Sequence, residues 1–235
     1  MLFNKKMKRK IAISQSNYIP WKGYFDSIAK VDVFVIYDDM QYTKRDWRNR
    51  NLIKTPNGLK WLSIPVEVKG KYFQKIKDTK IADKTWVKSH LGIIKQNYKT
   101  AKHFREIWNW VEELYLSCDL KYLTDVNMHF IKAINSFLKI ETEIIFSSDF
   151  KLHEDRNIRL INICKKLNGS DYFSGPSAKF YMNEKLFENH NLKIHYFNYS
   201  NYPEYIQLYD DFEHGVSILD LLFNEGVDSN KFLKH

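Results

Sequence analysis

Residues 11–39 read IAISQSNYIPWKGYFDSIAKVDVFVIYDD, and the order of patterns within them decides the fold. Ile11, Ala12 and Ile13 make a short apolar run. A polar loop follows, then an amphipathic stretch, then the β-branched run at 31–37, VDVFVIY. Strand, helix and strand in so short a span predict a βαβ unit with parallel strands and a right-handed crossover. In open α/β sheets, ligands bind just past the carboxyl ends of the strands. The loop at that position holds Gln15, Ser16, Asn17, Tyr18, Trp21, Lys22, Gly23 and Tyr24, and the second strand delivers Asp38 and Asp39 to the same edge.

Further along, Pro56-Asn57-Gly58 is a turn signal, and a hairpin is expected over 52–68 with its second strand at 61–68. Residues 76–81 fit another short strand. Residues 84–117 are expected as a helix, because Ala101, Phe104, Trp108, Val111 and Tyr115 recur at spacings of three and four. Residues 120–138 repeat this with Leu123, Phe130, Ile134 and Phe137, so two long helices paired antiparallel are expected. Strand and helix then alternate: strand 140–146, helix 158–167 stopped by Asn168-Gly169, strand 171–174, helix 178–189, strand 192–199 and helix 217–224. Such alternation predicts a mostly parallel, Rossmann-like α/β sheet. The whole chain, 1–235, is expected as one α/β domain with a helical subdomain at about 84–138.

The composition bounds the function class. The chain has 235 residues, 44% apolar and 16% aromatic, which describes a folded protein with a sizeable core. Its two cysteines, Cys118 and Cys164, lie far apart in helical patterns, which argues for a reducing compartment and against a thiol nucleophile. No apolar run is long enough to span a bilayer, and basic residues 1–10 lack the apolar core of a secretory signal. A cytoplasmic location is expected. The net charge of +9 has three readings: attraction of nucleic acid or an anionic membrane face, attraction of phosphorylated substrates, or a Lys-rich proteome. The lysines are spread over the chain, which favours the last.

Side-chain amides of Gln15 and Asn17 offer donors and acceptors to a polar ligand, and Tyr18, Trp21 and Tyr24 offer stacking faces. Gly23 permits close backbone approach at a helix start, where free N–H groups favour phosphate. The plain alternative is a well-packed loop with aromatic anchors. Asp38 or Asp39 suits a general base or a hydroxyl contact, although neighbours on a strand point to opposite faces, and a turn or helix cap explains them as well. Lys44, Arg45, Arg48, Arg50 and Asn51, interleaved with Tyr42 and Trp47, suit phosphate recognition; a charge run is otherwise a solvated face. Ser174 and Gly175, in the run Ser174-Gly175-Pro176-Ser177, open a ligand path or simply turn the chain. Ser217 and Asp220 fit a capping box. His90, shortly after Trp86, is the helical histidine to watch. There is no Walker A sequence, GxGxxG, HExxH, paired CxxC or GxSxG, so no metal site is expected.

Taken together, QSNYIPWKGYFDSIAKVDVFVIYDD, YTKRDWRNRN, WLSIPV, YFSGPSAKFY, YPEYIQ and SILDLLFNEG resemble the WbqC-like family over 11–226. The resemblance implies a role in bacterial surface-polysaccharide and O-antigen biosynthesis. It places Gln15, Asn17, Tyr18, Gly23, Tyr24, Asp38, Arg48, Arg50, Asn51, Gly175, Tyr181, Gln207, Ser217 and Asp220 at motif positions, with residues 1–10 outside the pattern. The expected activity is transfer of an acyl or aminoacyl group to the amine of a nucleotide-linked amino sugar. Asp38 or Asp39 would be the base, Asn17 or Gln15 would polarise the acyl carbonyl, and Arg48 and Arg50 would hold the diphosphate. The donor is coenzyme A, a carrier protein or aminoacyl-tRNA. Asn17, Asp38 and Arg48 are expected to be dispensable for stability. The opening layout is also similar to the nucleotidylyltransferase superfamily, but Trp21 and Tyr24 stand where that superfamily has histidines. A nucleotidyl- or adenylyltransferase-like enzyme and a non-catalytic RNA- or partner-binding module are the alternative readings.

Overall fold

The computed structural model describes residues 8–209 and 211–235. Its centre is a five-stranded parallel sheet in the order β5-β2-β1-β6-β7. The strands are β1 (Arg9–Ser14), β2 (Val33–Ile36), β5 (Glu143–Phe146), β6 (Gly169–Ser174) and β7 (Lys193–Tyr196). A separate antiparallel hairpin pairs β3 (Arg50–Thr55) with β4 (Gly58–Ser63). Among the described residues, seven α-helices complete the fold: α1 (Lys22–Ala29), α2 (Thr85–Tyr98), α3 (Phe104–Leu116), α4 (Leu123–Phe137), α5 (Arg156–Lys166), α6 (Glu184–Asn189) and α7 (Ile218–Glu225).

The expected βαβ unit is present: β1 and β2 are adjacent and parallel, with Ile11 opposite Val33 and Ile13 opposite Val35. All four residues of β2 are buried, as befits a strand covered on both faces. The two-residue period sorts the core. Ile11, Ile13, Val33, Val35 and Tyr172 face α5 and α6. Ala12, Phe34, Ile36 and Phe173 face α1, α2, α3, α4 and α7. The fold is therefore a Rossmann-like α/β sheet with helices on both faces. Everything between β2 and β5, hairpin included, is one long crossover between neighbouring strands.

Several expected elements differ. Residues 84–138 form three helices rather than two. The chain turns between α2 and α3 without Gly or Pro, so the sequence gives no break; the His103 N–H donates to the Phe223 carbonyl of α7 at 2.9 Å and fixes the turn. The hairpin covers 50–63, because β4 ends before Pro65, which has no N–H to donate. The 76–81 run is a 3₁₀ turn at Ile76–Asp78 followed by single bridges, Val66 to Ile81 and Lys80 to Tyr122. The 178–189 helix divides into a 3₁₀ turn, Pro176–Phe180, and α6, because Asn183 caps a new helix by accepting from the Leu186 N–H. Ser217 caps α7 from the Leu219 N–H, and Gly226 ends it at φ +53. A Cβ at Gly226 would lie 2.7 Å from the His103 ring, so glycine is required there on two counts. Among the described residues, no helix is long and apolar enough to cross a membrane.

The deepest packing joins loop and helices: Phe130 is fully buried, 5.4 Å from the Tyr18 ring and 4.8 Å from that of Tyr115. Phe130→Ala is expected to cost about 3–5 kcal/mol, read by chemical denaturation; a loss below about 1 kcal/mol would show that this cluster does not hold the helices to the sheet.

Candidate functional site

The loop after β1 is shaped from beneath by Asp38. This residue, 3% exposed, accepts the Ser16 N–H at 2.8 Å, the Ser16 hydroxyl at 2.6 Å and the Thr124 hydroxyl at 2.6 Å. Burial raises its carboxyl above the ordinary value, although these bonds and Arg48 pull the other way. Asp39 points elsewhere. Its carboxylate accepts the Ser147 hydroxyl at 2.7 Å and pairs with Lys77 at 2.5 Å. Burial pushes it up, but Lys77, Ser147 and Lys75 together hold it below the usual range. Both carboxylates are thus committed to protein donors.

Above this anchor the backbone bends through Ile19, which is fully buried and sits at φ +33, outside the range that β-branched residues ordinarily adopt. Asn51 holds the bend: its Nδ2 donates to the Tyr18 and Ile19 carbonyls, both at 3.0 Å. Its Oδ1 accepts the Leu52 N–H at 2.8 Å. The bend throws Pro20 and Trp21 outward. The Trp21 indole folds back over Gly23, where a Cβ would lie 2.3 Å from the ring. Gly23 therefore seats an aromatic ring rather than a phosphate.

Trp21 is one wall of a cavity of about 410 Å³, lined by Asn17, Pro20, Trp21, Trp47, Asn51, Tyr199, His214 and Gly215. The sheet order reverses between β1 and β6, and the loop leading to the cavity leaves the carboxyl end of β1 at that point. The Tyr199 ring meets Trp21 edge-on at 5.3 Å. Asn17 accepts from the Arg48 guanidinium through Oδ1, which leaves its Nδ2 free to donate. The His214 Nδ1 is buried with no partner among the described residues, and its Nε2 lies 3.8 Å from Glu204.

Tyr199, His214 and Gly215 belong to an irregular strap, 197–209 and 211–216, between β7 and α7. Asp220 holds it from below. This fully buried carboxylate accepts from Tyr98 at 2.8 Å, Tyr205 at 2.7 Å and Gln207 at 2.8 Å. It is therefore the centre of a network rather than the return half of a capping box. Lys54 donates to Gln207 at 2.9 Å. Lys22, 3% exposed, donates to the Pro203 carbonyl at 2.8 Å. Its ammonium lies 5.2–5.4 Å from the ring centres of Tyr202, Tyr205 and Phe212, and burial pushes it down to about 8.

Of the residues read from sequence, Asn17, Trp21 and Asn51 meet in the cavity, with Arg48 bonded to one of them. Arg50 lies flat on Trp61 at 3.8 Å. Lys44 is exposed nearby in sequence. Ser174 and Gly175 end β6 at the same sheet edge but do not line the cavity, and Tyr181 stacks under Arg156 at 4.1 Å. Gln15 gives its carbonyl to the Tyr24 hydroxyl at 3.0 Å. Tyr18 is fully buried, bonded to Tyr115 at 2.6 Å and to the His90 Nδ1 at 2.9 Å. The other His90 nitrogen faces the Ser63 carbonyl at 3.2 Å, and burial pushes the imidazole down to about 4. His90 thus braces the core, away from the cavity. Gln207 braces the strap. Sequence reasoning missed Tyr199 and His214; the one hint was His214-Gly215 just ahead of a capped helix. Among the described residues, no cluster of His, Cys, Asp or Glu is placed to hold a metal.

Two outcomes follow for stability. Asp38→Ala leaves three buried donors unpaired and is expected to cost about 3 kcal/mol or more by chemical denaturation; a neutral result would return Asp38 to the list of chemical groups. His90 stays neutral in the fold down to about pH 4, whereas an exposed imidazole protonates near 6.5. Its contribution is complete above 6.5 and is lost as the pH falls towards 4. Between those limits His90→Gln is expected to flatten the acid loss by about 3 kcal/mol relative to the parent. Parallel stability-against-pH curves for the two proteins would refute it.

An uncharacterized protein of Mycobacterium tuberculosis (strain H37Rv), Rv1507c, is similar to this chain: 47% identical over 227 residues, 97% of this chain and 98% of the relative. No solved structure is significantly similar to it. The profile of the WbqC-like protein family matches residues 15–232, which include the bent loop, both buried aspartate networks and every cavity residue. With nearly the whole chain matched, this protein belongs to the WbqC-like protein family.

Proposed function

We propose that the protein is an enzyme of bacterial surface-glycan biosynthesis that transfers an acyl or aminoacyl group to the amine of a nucleotide-linked amino sugar. The observation that carries this reading is the cavity: three aromatic side chains, an amide with a free N–H₂ and an imidazole converge there. Trp21, Trp47 and Tyr199 suit the apolar faces of a pyranose or a base, while amide and imidazole suit its polar edge.

The chemistry follows from what each group has free. The amine nitrogen attacks the acyl carbonyl carbon, and the donor's C–S or C–O bond breaks. His214, one wall of the cavity, takes the amine proton on its ring and returns it to the leaving thiol or hydroxyl. A carboxylate oxygen of Glu204 lies 3.8 Å from Nε2. The Asn17 Nδ2 donates to the developing oxyanion. His214 replaces Asp38 and Asp39 as the base because both carboxylates are already engaged by protein donors. Arg48, bonded to Asn17 at the cavity, and the exposed Arg45 are the groups suited to the diphosphate. The donor is a thioester of coenzyme A or a carrier protein, or an aminoacyl ester of tRNA.

Asn17→Ala and His214→Gln are each expected to weaken nucleotide-amino-sugar binding or turnover at least about tenfold, since each removes a polar contact to the reacting centre. The melting temperature should move by no more than a few degrees. Calorimetry with a panel of amino-sugar nucleotides, followed by mass spectrometry with donor mixtures, checks both. Absence of binding and of any mass change across the panel would sink the transferase reading.

A further inference from the structure

The lysines are dispersed, but the net charge is not. Between Lys44 and Lys77 stand ten basic residues and two acidic ones, so this stretch carries +8 of the chain's +9. Both acids are occupied: Asp46 accepts the Thr43 hydroxyl and the Trp47 N–H, each at 2.7 Å, and Glu67 pairs with Lys71.

The same stretch displays four large aromatic side chains, Trp47, Trp61, Tyr72 and Phe73, exposed by 41, 38, 75 and 83%. They are not scattered. Trp47, a wall of the cavity, packs against Trp61 at 5.2 Å, and the Arg50 guanidinium covers the far ring. The loop bearing Tyr72 and Phe73 is fastened beside Lys44. The Gln41 Nε2 donates to the Tyr72 carbonyl and the Tyr42 N–H to the Gln74 carbonyl, each at 2.9 Å. A groove of about 850 Å³ opens there, lined by Tyr42, Lys44, Val68, Lys71, Tyr72 and Phe73 among others.

Exposed rings in the same stretch as Lys44, Arg45, Lys60 and Lys69, cations that no carboxylate pairs among the described residues, match a strand of unstacked bases: rings take base faces and cations take phosphates. A bilayer would be met best by apolar side chains projecting together, whereas here one ring lies under a guanidinium and another turns into the cavity. We propose that this surface binds single-stranded RNA and directs its 3′ end to the cavity at Trp47. The direction rests on the transferase reading: an aminoacyl ester on a 3′ ribose brings the donor to the amino sugar. The ester C–O bond breaks, an amide forms, and the ribose hydroxyl leaves with the proton.

The test uses the full chain and a 5′-fluorescein-labelled RNA of about twelve nucleotides ending in cytidine-cytidine-adenosine, a length within the range such sites cover. Anisotropy should show saturable binding that weakens steeply with salt, because phosphate contacts release counterions. The double variant Tyr72→Ala/Phe73→Ala should lose about tenfold or more in affinity, the scale of lost base stacking. Its melting temperature and its calorimetric binding of amino-sugar nucleotides should not change. Absence of RNA binding, or an affinity unaltered in the double variant, overturns the proposal. Nucleotide-sugar binding without RNA binding overturns it while leaving the cavity's reading intact. RNA binding without nucleotide-sugar binding supports the surface and removes the transferase. Co-sedimentation with phosphatidylglycerol vesicles that the double variant abolishes, with no RNA binding, reassigns the surface to membranes and overturns the proposal.

Discussion

One buried carboxylate positions the cavity. Asp38 stands at the end of β2 and accepts three hydrogen bonds, two from Ser16 after β1 and one from Thr124 on α4. Loop, strand end and crossover helix meet at that point. No ammonium or guanidinium bonds to it among the described residues, so its three hydrogen bonds and the nearby Arg48 charge offset the cost of burial. The Asn127 Nδ2 extends the same constraint, donating to the Ser16 hydroxyl and the Arg48 carbonyl at 2.9 Å each. The loop is therefore not free to choose where Asn17 and Trp21 stand.

A second constraint is steric and complements the first. Ile19 is kept at positive φ because Asn51 captures the two carbonyls the bend exposes, so one amide offsets the local strain. The hairpin that carries Asn51 thereby becomes part of the wall, and the tryptophans on either side of it, Trp47 and Trp61, are brought beside the loop. Two features distant in function, the arginine-rich turn and the aromatic loop, turn out to be one piece of construction.

How much of this the residues declared depends on distance along the chain. The βαβ unit was legible because a strand buried on both faces must be a continuous apolar run, and 33–36 is one. Asn17, Trp21 and Asn51 were legible as polar or aromatic residues in places where chemistry usually sits. The commitment of Asp38 was not: a carboxylate at a strand end looks the same whether its acceptors are empty or filled, and Thr124 lies 86 residues away. The turn between α2 and α3 was hidden because the apolar period continues through it. Tyr199 and His214 were hidden because the strap has no period of any kind; it is held by Asp220, Lys54 and Lys22, which only the tertiary structure gathers.

That strap has a kinetic consequence. It contributes two of the cavity's four aromatic and imidazole side chains, Tyr199 and His214, yet hydrogen bonds, cation–ring contacts and a few buried side chains hold it rather than a helix or sheet ladder. Segments without a helix or sheet ladder open at a free-energy cost below that of global unfolding. Amide protons of 197–209 and 211–216 should thus exchange through a local path, while those of β1 and β2 wait for the whole molecule. Entry to the cavity is then set by the lifetime of a handful of polar contacts around Asp220, on a clock separate from that of the fold.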